Sequence, residues 1–124
     1  MNREIKFRGK TNANNDWIYG DFIHQDKFNR PMIKQDDYTA CVNENTLGEY
    51  TGLHDKNGKK IWENDIVEIT RECIYEKGII MLKNGCFFIK SKENLLALYN
   101  CELNNYKVKV IGNITDNPEL LGGE

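Results

Sequence analysis

The sequence predicts a mainly β protein, with short antiparallel hairpins, a small, partly open barrel of SH3-like character and one short helix. Three observations carry that reading. Several segments alternate apolar and polar residues with a period of two, as in "REIKFRGK" (3–10) and "IVEIT" (66–70). Asn57-Gly58 and Asn84-Gly85 each sit between extended runs, and Asn-Gly is a strong hairpin signal because both residues tolerate positive φ. Helical spacing is confined to "SKENLLALYNCE" (91–102).

Taken in order, 3–10 places Arg3, Ile5 and Phe7 on one face and Glu4, Lys6, Arg8 and Lys10 on the other, a strand with one buried side. Charge on its outer face would protect it as a sheet edge. "TNANND" (11–16) is a turn by composition, and "WIYGDFIH" (17–24) is a second strand hairpinned to the first, with Gly20 at a bulge. Residues 25–45 are polar and contain Pro31; short strands are expected around Met32–Ile33 and Tyr38–Val42. The stretch "TGLHDKNGKKIWENDIVEI" (51–69) reads as two turns flanking Lys60-Ile61-Trp62 and leading into a strand. Its second turn, Glu63-Asn64-Asp65, puts Asn64 in a left-handed position.

"KGIIMLKNGCFFIK" (77–90) is a hairpin with Ile79, Met81 and Lys83 on one face and Ile80 and Leu82 on the other. Its apolar character on both faces predicts a central position. Ser91 is the expected helix cap, with Leu95, Leu98 and Tyr99 at i, i+3 and i+4. "NYKVKVIGNI" (105–114) sets Tyr106, Val108 and Val110 against Lys107 and Lys109, again a strand. "DNPELL" (116–121) starts a turn of helix at Asn117-Pro118. Closing a barrel requires the first and last strands to meet.

The 124 residues suit one domain, with subdomains 1–45 and 46–124 as the alternative organisation. At 40% hydrophobic and 29% charged, the composition is that of a globular protein. No apolar run approaches the roughly 20 residues of a membrane span, and the opening "MNREIKFRGK" has no apolar signal-peptide core. The expected location is therefore the cytoplasm. A net charge of −2 argues against a general nucleic-acid binder, which needs a basic excess. The charge is uneven: six Lys/Arg against four Asp/Glu in residues 1–30, four against eight in 31–70, seven of each in 71–124.

Cys41, Cys73, Cys86 and Cys101 form no Cys-x-x-Cys pair, so neither a zinc site nor a disulfide framework is expected, and the thiols should be mostly buried. His54-Asp55 is adjacent on an extended segment, where neighbouring side chains point apart, which disfavours an acid–base pair. No spacing supports a Cys–His nucleophile. "DKNGKKIWE" (55–63) superficially resembles a calcium loop, but Lys56, Lys59 and Lys60 would oppose the ion. There is no phosphate-cradling glycine loop and no serine nucleophile elbow. The expectation is no catalytic residue, no metal and no cofactor.

Binding candidates are clearer. Lys6, Arg8 and Lys10 line one side of the first strand, with Trp17 and Tyr19 on its neighbour, the combination a single-stranded nucleic-acid groove uses. The alternative is a solvated sheet face with Trp17 and Tyr19 in the core. Trp62 is either a core plug or an exposed partner anchor. Phe87 and Phe88 lie on opposite faces of a strand that is apolar on both. One face must meet the helix at Leu95 and Leu98, or a second subunit.

Three motifs together resemble the YopX-like family of bacteriophage and prophage proteins. They are Arg3-Glu4-Ile5-Lys6-Phe7-Arg8-Gly9-Lys10 with Trp17-Ile18-Tyr19-Gly20; Leu47-Gly48-Glu49-Tyr50-Thr51-Gly52-Leu53 through Asp55-Lys56-Asn57-Gly58-Lys59 to Asp65-Ile66-Val67; and Val110-Ile111-Gly112-Asn113-Ile114 with Asn117-Pro118-Glu119-Leu120-Leu121. The resemblance spans nearly the whole chain. It implies a small, mostly β, phage-encoded protein and no known activity, so no catalytic residue carries over. The family pattern reads Glu-Gly-Asp where this chain has Glu63-Asn64-Asp65, and Asn is the next-best residue for a left-handed position. The expected function is that of a non-enzymatic accessory protein working as a protein–protein or self-assembly module, most simply a homo-oligomer built on the arm around Phe87 or Phe88. The alternative is a nucleic-acid-binding module on the basic first strand.

Overall fold

A computed structural model describes residues 5–23, 30–92 and 94–121, apart from the side chain of Glu102. The chain divides into two compact units, Met1–Gly52 and Leu53–Glu124. In the first, β1 (Phe7–Lys10), β2 (Trp17–Ile23), β3 (Met32–Gln35), β4 (Tyr38–Cys41) and β5 (Gly48–His54, which runs on into the second unit) form an antiparallel sheet in the order β4-β3-β2-β1-β5. Ile18, Ile33 and Val42 are its buried core, with Phe7, Ala40 and Leu47 packed against them. His24 and the polar stretch after it fall among residues 24–29, outside the described residues.

β1 is central, hydrogen-bonded to β2 and β5, so it is not the charge-protected edge that its pattern suggested. It is also shorter than its alternation: Ile5 lies outside it and is 63% exposed. Gly20 sits in regular register opposite Phe7 rather than in a bulge. A Cβ there would lie 2.0 Å from the Lys34 carbonyl oxygen, so the close approach of two backbones demands glycine.

The second unit holds β6 (Lys60–Trp62), β7 (Asp65–Arg71), β8 (Ile74–Lys83), β9 (Cys86–Ser91), β10 (Leu95–Ala97), the helix α1 (Leu98–Leu103) and β11 (Lys107–Asn113). Its antiparallel sheet runs β10-β9-β8-β7-β11, with the long strand β8 central as its two apolar faces predict. Val67, Ile69, Ile80, Ile89, Val108 and Val110 bury one face of this sheet together with Leu98 and Cys101 of α1. The turns are as expected in kind. Asn84 and Gly85 both take positive φ (53° and 81°), the left-handed pair a two-residue hairpin needs. Asn64 is left-handed at φ 75°. In the Asp55–Lys59 turn only Gly58 is left-handed, at φ 84°.

The fold class is as expected: mainly β, two antiparallel sheets with one short α-helix and no closed barrel among the described residues, β1 and β11 falling in different sheets. Two other expectations fail. The helix starts at Leu98, not after Ser91: Ser91 ends β9, and Leu95 belongs to a short strand and is 47% exposed. The i, i+3, i+4 spacing from Leu95 was accidental, and the true buried pair is Leu98 and Cys101. Finally, the thiols are not mostly buried, for Cys73 and Cys86 are exposed at hairpin ends.

Candidate binding surface

The basic first strand has the neighbours its pattern predicted. Arg8 is registered opposite Tyr19, and Lys10 opposite Trp17, which places cations and aromatics on one face. The cluster is folded into itself, however. The Arg8 guanidinium lies 4.7 Å from the Trp17 ring centroid and Lys10 Nζ lies 5.4 Å from it. Arg8 is only 6% exposed. A cation held over an indole contributes about 0.5–2 kcal/mol, and Trp17 spends its π-face on these two side chains. Lys6 precedes β1, and its carbonyl accepts the Tyr50 N–H at 2.8 Å. Arg8 and Lys10 are thus drawn onto Trp17 of the neighbouring strand.

Trp62 is 7% exposed, a core residue and not a projecting anchor. Its backbone N–H donates to Asp65 Oδ2 at 2.7 Å, which closes the Glu63-Asn64 turn. Asp55 has the same kind of role on a larger scale. Its Oδ1 accepts the N–H groups of Asn57 and Lys59, both at 2.8 Å, and its Oδ2 accepts that of Val110 at 2.9 Å. Burial opposes its ionisation, but the N–H groups of Val110, Lys59 and Asn57 and the Lys59 charge outweigh burial and hold the carboxyl below its ordinary value. With its oxygens committed to backbone, Asp55 is a structural clamp between the turn and β11. His54 beside it is exposed.

Phe87 and Phe88 separate as strand neighbours must. Phe87 packs on the core cluster under α1. Phe88 lies on the outer face, registered between Met81 of β8 and Ala97 of β10. The next row of that face is Ile66, Ile79, Lys90 and Leu95, and the row after it carries Lys109, Glu68 and Lys77. An open groove of about 610 Å³ runs along it, lined by Tyr75, Lys77, Ile79, Lys90, Lys92 and Leu120 among others. A smaller hollow of about 300 Å³ adjoins Met81, Lys83, Lys90 and Leu95.

At the groove margin, Ser91 Oγ and Asn94 Nδ2 donate to Glu76 Oε1 at 2.8 and 2.9 Å, and Arg71 donates to Glu76 Oε2 at 2.9 Å. Asn94 and Ser91, with a further contribution from Arg71, hold the Glu76 carboxyl below its ordinary value against the effect of burial. Arg71 in turn lies over the Tyr106 ring at 5.6 Å, and Tyr106 foremost, then Glu76, raises its pKa. Tyr75 donates its hydroxyl to Glu68, which raises the phenol above its ordinary value. These shifted groups serve one another, fastening β7, β8 and β9 together.

The sequence profile of the YopX protein family matches residues 6–122. The chain belongs to the YopX family. Among solved structures, this YopX-family chain is similar to the crystal structure of protein EF1440 from Enterococcus faecalis, with a TM-score of 0.62 and 22% identity over 97% of this chain and 99% of that one. At that identity the likeness shows the fold alone. No curated protein matches the chain. Among the described residues no helix is long and apolar enough to cross a membrane, and no three His, Cys, Asp or Glu side chains are grouped to hold a metal ion.

Proposed function

We propose that this YopX-family protein is a phage or prophage accessory protein of the cytoplasm that acts by binding rather than catalysis, as a self-assembling protein–protein module. The observation that carries the reading is the outer face of the β8–β9 arm. Met81, Phe88 and Ala97 form one registered row there, only half-buried, beside Leu95 at 47% exposure. A contiguous apolar patch on a sheet face is the surface another chain covers. The ionisable groups with shifted pKa support the non-enzymatic part, since Asp55, Glu76, Arg71 and Tyr75 are all engaged in structural bonds.

The test is sedimentation of the full chain at micromolar concentration. An oligomer that falls to monomer with Phe88→Ser supports the reading. A pure 14.5 kDa species in the parent protein removes it. The alternative of a nucleic-acid contact on β1 has less support, because Arg8 and Lys10 already engage Trp17.

A further inference from the structure

The chain is acidic overall, yet lysines gather on the outer face of the second sheet. The strand register brings Lys107 and Lys109 of β11, Lys77 and Lys83 of β8 and Lys90 of β9 to that face, and Lys92 joins them at the groove. Against these six lysines stand few carboxylates among the described residues. Glu68 is bonded by Tyr75, Glu76 is paired with Arg71, and Glu119 is exposed on the turn that carries Leu120. Lys77 Nζ reaches the Leu120 carbonyl at 3.2 Å, and among the described residues no ion pair holds Lys90 or Lys92.

Two features of the groove choose its ligand. Tyr75 is 56% exposed at its edge, so an aromatic ring stands open beside the cations. Lys77 and Lys90 are diagonal neighbours across β8 and β9, about 7–8 Å apart at the backbone, so they present charge in a line along the groove. Cations tracking a backbone with a ring to stack a base are what sequence-tolerant single-strand binding requires. A duplex fits poorly. The face is five strands wide, about 19 Å at 4.8 Å per strand, whereas the major groove admits an object of about 12 Å. A second copy centred on this groove would set Lys77, Lys90 and Lys92 against the same lysines, which is repulsive, so the groove is distinct from the assembly contact argued from the Met81–Phe88 row.

We infer that the groove between Tyr75, Lys77, Lys90 and Lys92 binds single-stranded nucleic acid, the lysines contacting phosphates and Tyr75 stacking on a base. This goes beyond the assembly reading, which uses the Met81–Phe88 end of the face.

The experiment is anisotropy of a labelled oligothymidylate of about 20 nucleotides, titrated with the full-length protein from about 20 to 200 mM salt. The expected affinity falls with salt with a logarithmic slope of about −2, at −0.7 for each of three phosphates. Lys90→Glu with Lys92→Glu should weaken binding at least about 10-fold and flatten that slope. Tyr75→Ala should weaken it about 5-fold or more and leave the slope unchanged. Lys34→Glu with Lys56→Glu makes the same change in net charge elsewhere and should cost less than about 2-fold. Circular dichroism melting confirms that each variant is folded. Absence of binding at the lowest salt overturns the inference, as does an equal loss in the Lys34/Lys56 variant. So does preferential binding of a poly-glutamate peptide, which would assign the groove to acidic proteins. Sedimentation of the Lys90/Lys92 variant keeps the two readings apart, because assembly through Phe88 should survive it.

Discussion

Replacing Asp55 by alanine should destabilise the second unit by about 2–5 kcal/mol. The figure follows from three N–H groups. The N–H of Val110 is bonded to Asp55 Oδ2 at 2.9 Å in a buried setting, and losing its acceptor costs about 1–3 kcal/mol. The N–H groups of Asn57 and Lys59 belong to an exposed turn and can turn to water, so each loses only about 0.5–1 kcal/mol. Asp55→Asn keeps one oxygen but turns an amide NH₂ toward a donor, and about half the loss is expected. Urea unfolding is the assay, with an unchanged m-value showing that stability alone has moved. The pH dependence supplies an independent check. The folded pKa of Asp55 is held below the unfolded value, so its contribution is fully present above the ordinary carboxylate range and is lost as pH falls through the folded value. In Asp55→Asn that part of the acid destabilisation disappears. A loss below about 0.5 kcal/mol for Asp55→Ala, or an acid limb unchanged in Asp55→Asn, would refute the clamp.

Asn64 sits at φ 75°, so Asn64→Gly should be neutral or stabilise by up to about 1 kcal/mol, while Asn64→Val should cost about 1–2 kcal/mol in the same unfolding assay. Gly20→Ala should destabilise by about 2–4 kcal/mol by thermal melting, because its Cβ would lie 2.0 Å from the Lys34 carbonyl oxygen. Phe87→Ser should lower the unfolding free energy by about 2–3 kcal/mol, since its ring packs on the core, whereas Phe88→Ser should lower it less and act on sedimentation instead. With a thiol reagent, Cys73 and Cys86 should react in the native protein, while Cys101, 1% exposed with its pKa raised by burial, should react only on unfolding.

Local signals were legible in the residues themselves. Asn64, Asn84 and Gly85 take the left-handed conformations their types favour, and Tyr106, Val108 and Val110 alternate with Lys107 and Lys109 as written. These features depend on a residue and its immediate neighbours, which the sequence contains in full. The pairing of distant strands does not. That β1 is central and not an edge, and that β1 and β11 fall in different sheets, depends on which strands hydrogen-bond, a non-local choice. Burial of Arg8 follows from the same cause: alternation set its face, but only the fold brought Trp17 over it. Leu95 and Leu98 show how a helical spacing misleads when a strand pairing competes for the first of the two, as β10 does against β9. The candidate surface was the least legible feature. Lys77, Lys90 and Lys109 stand far apart in the chain, and their charges add only because register carries them to one face, while Asp55 became a clamp only when β11 offered it the N–H of Val110.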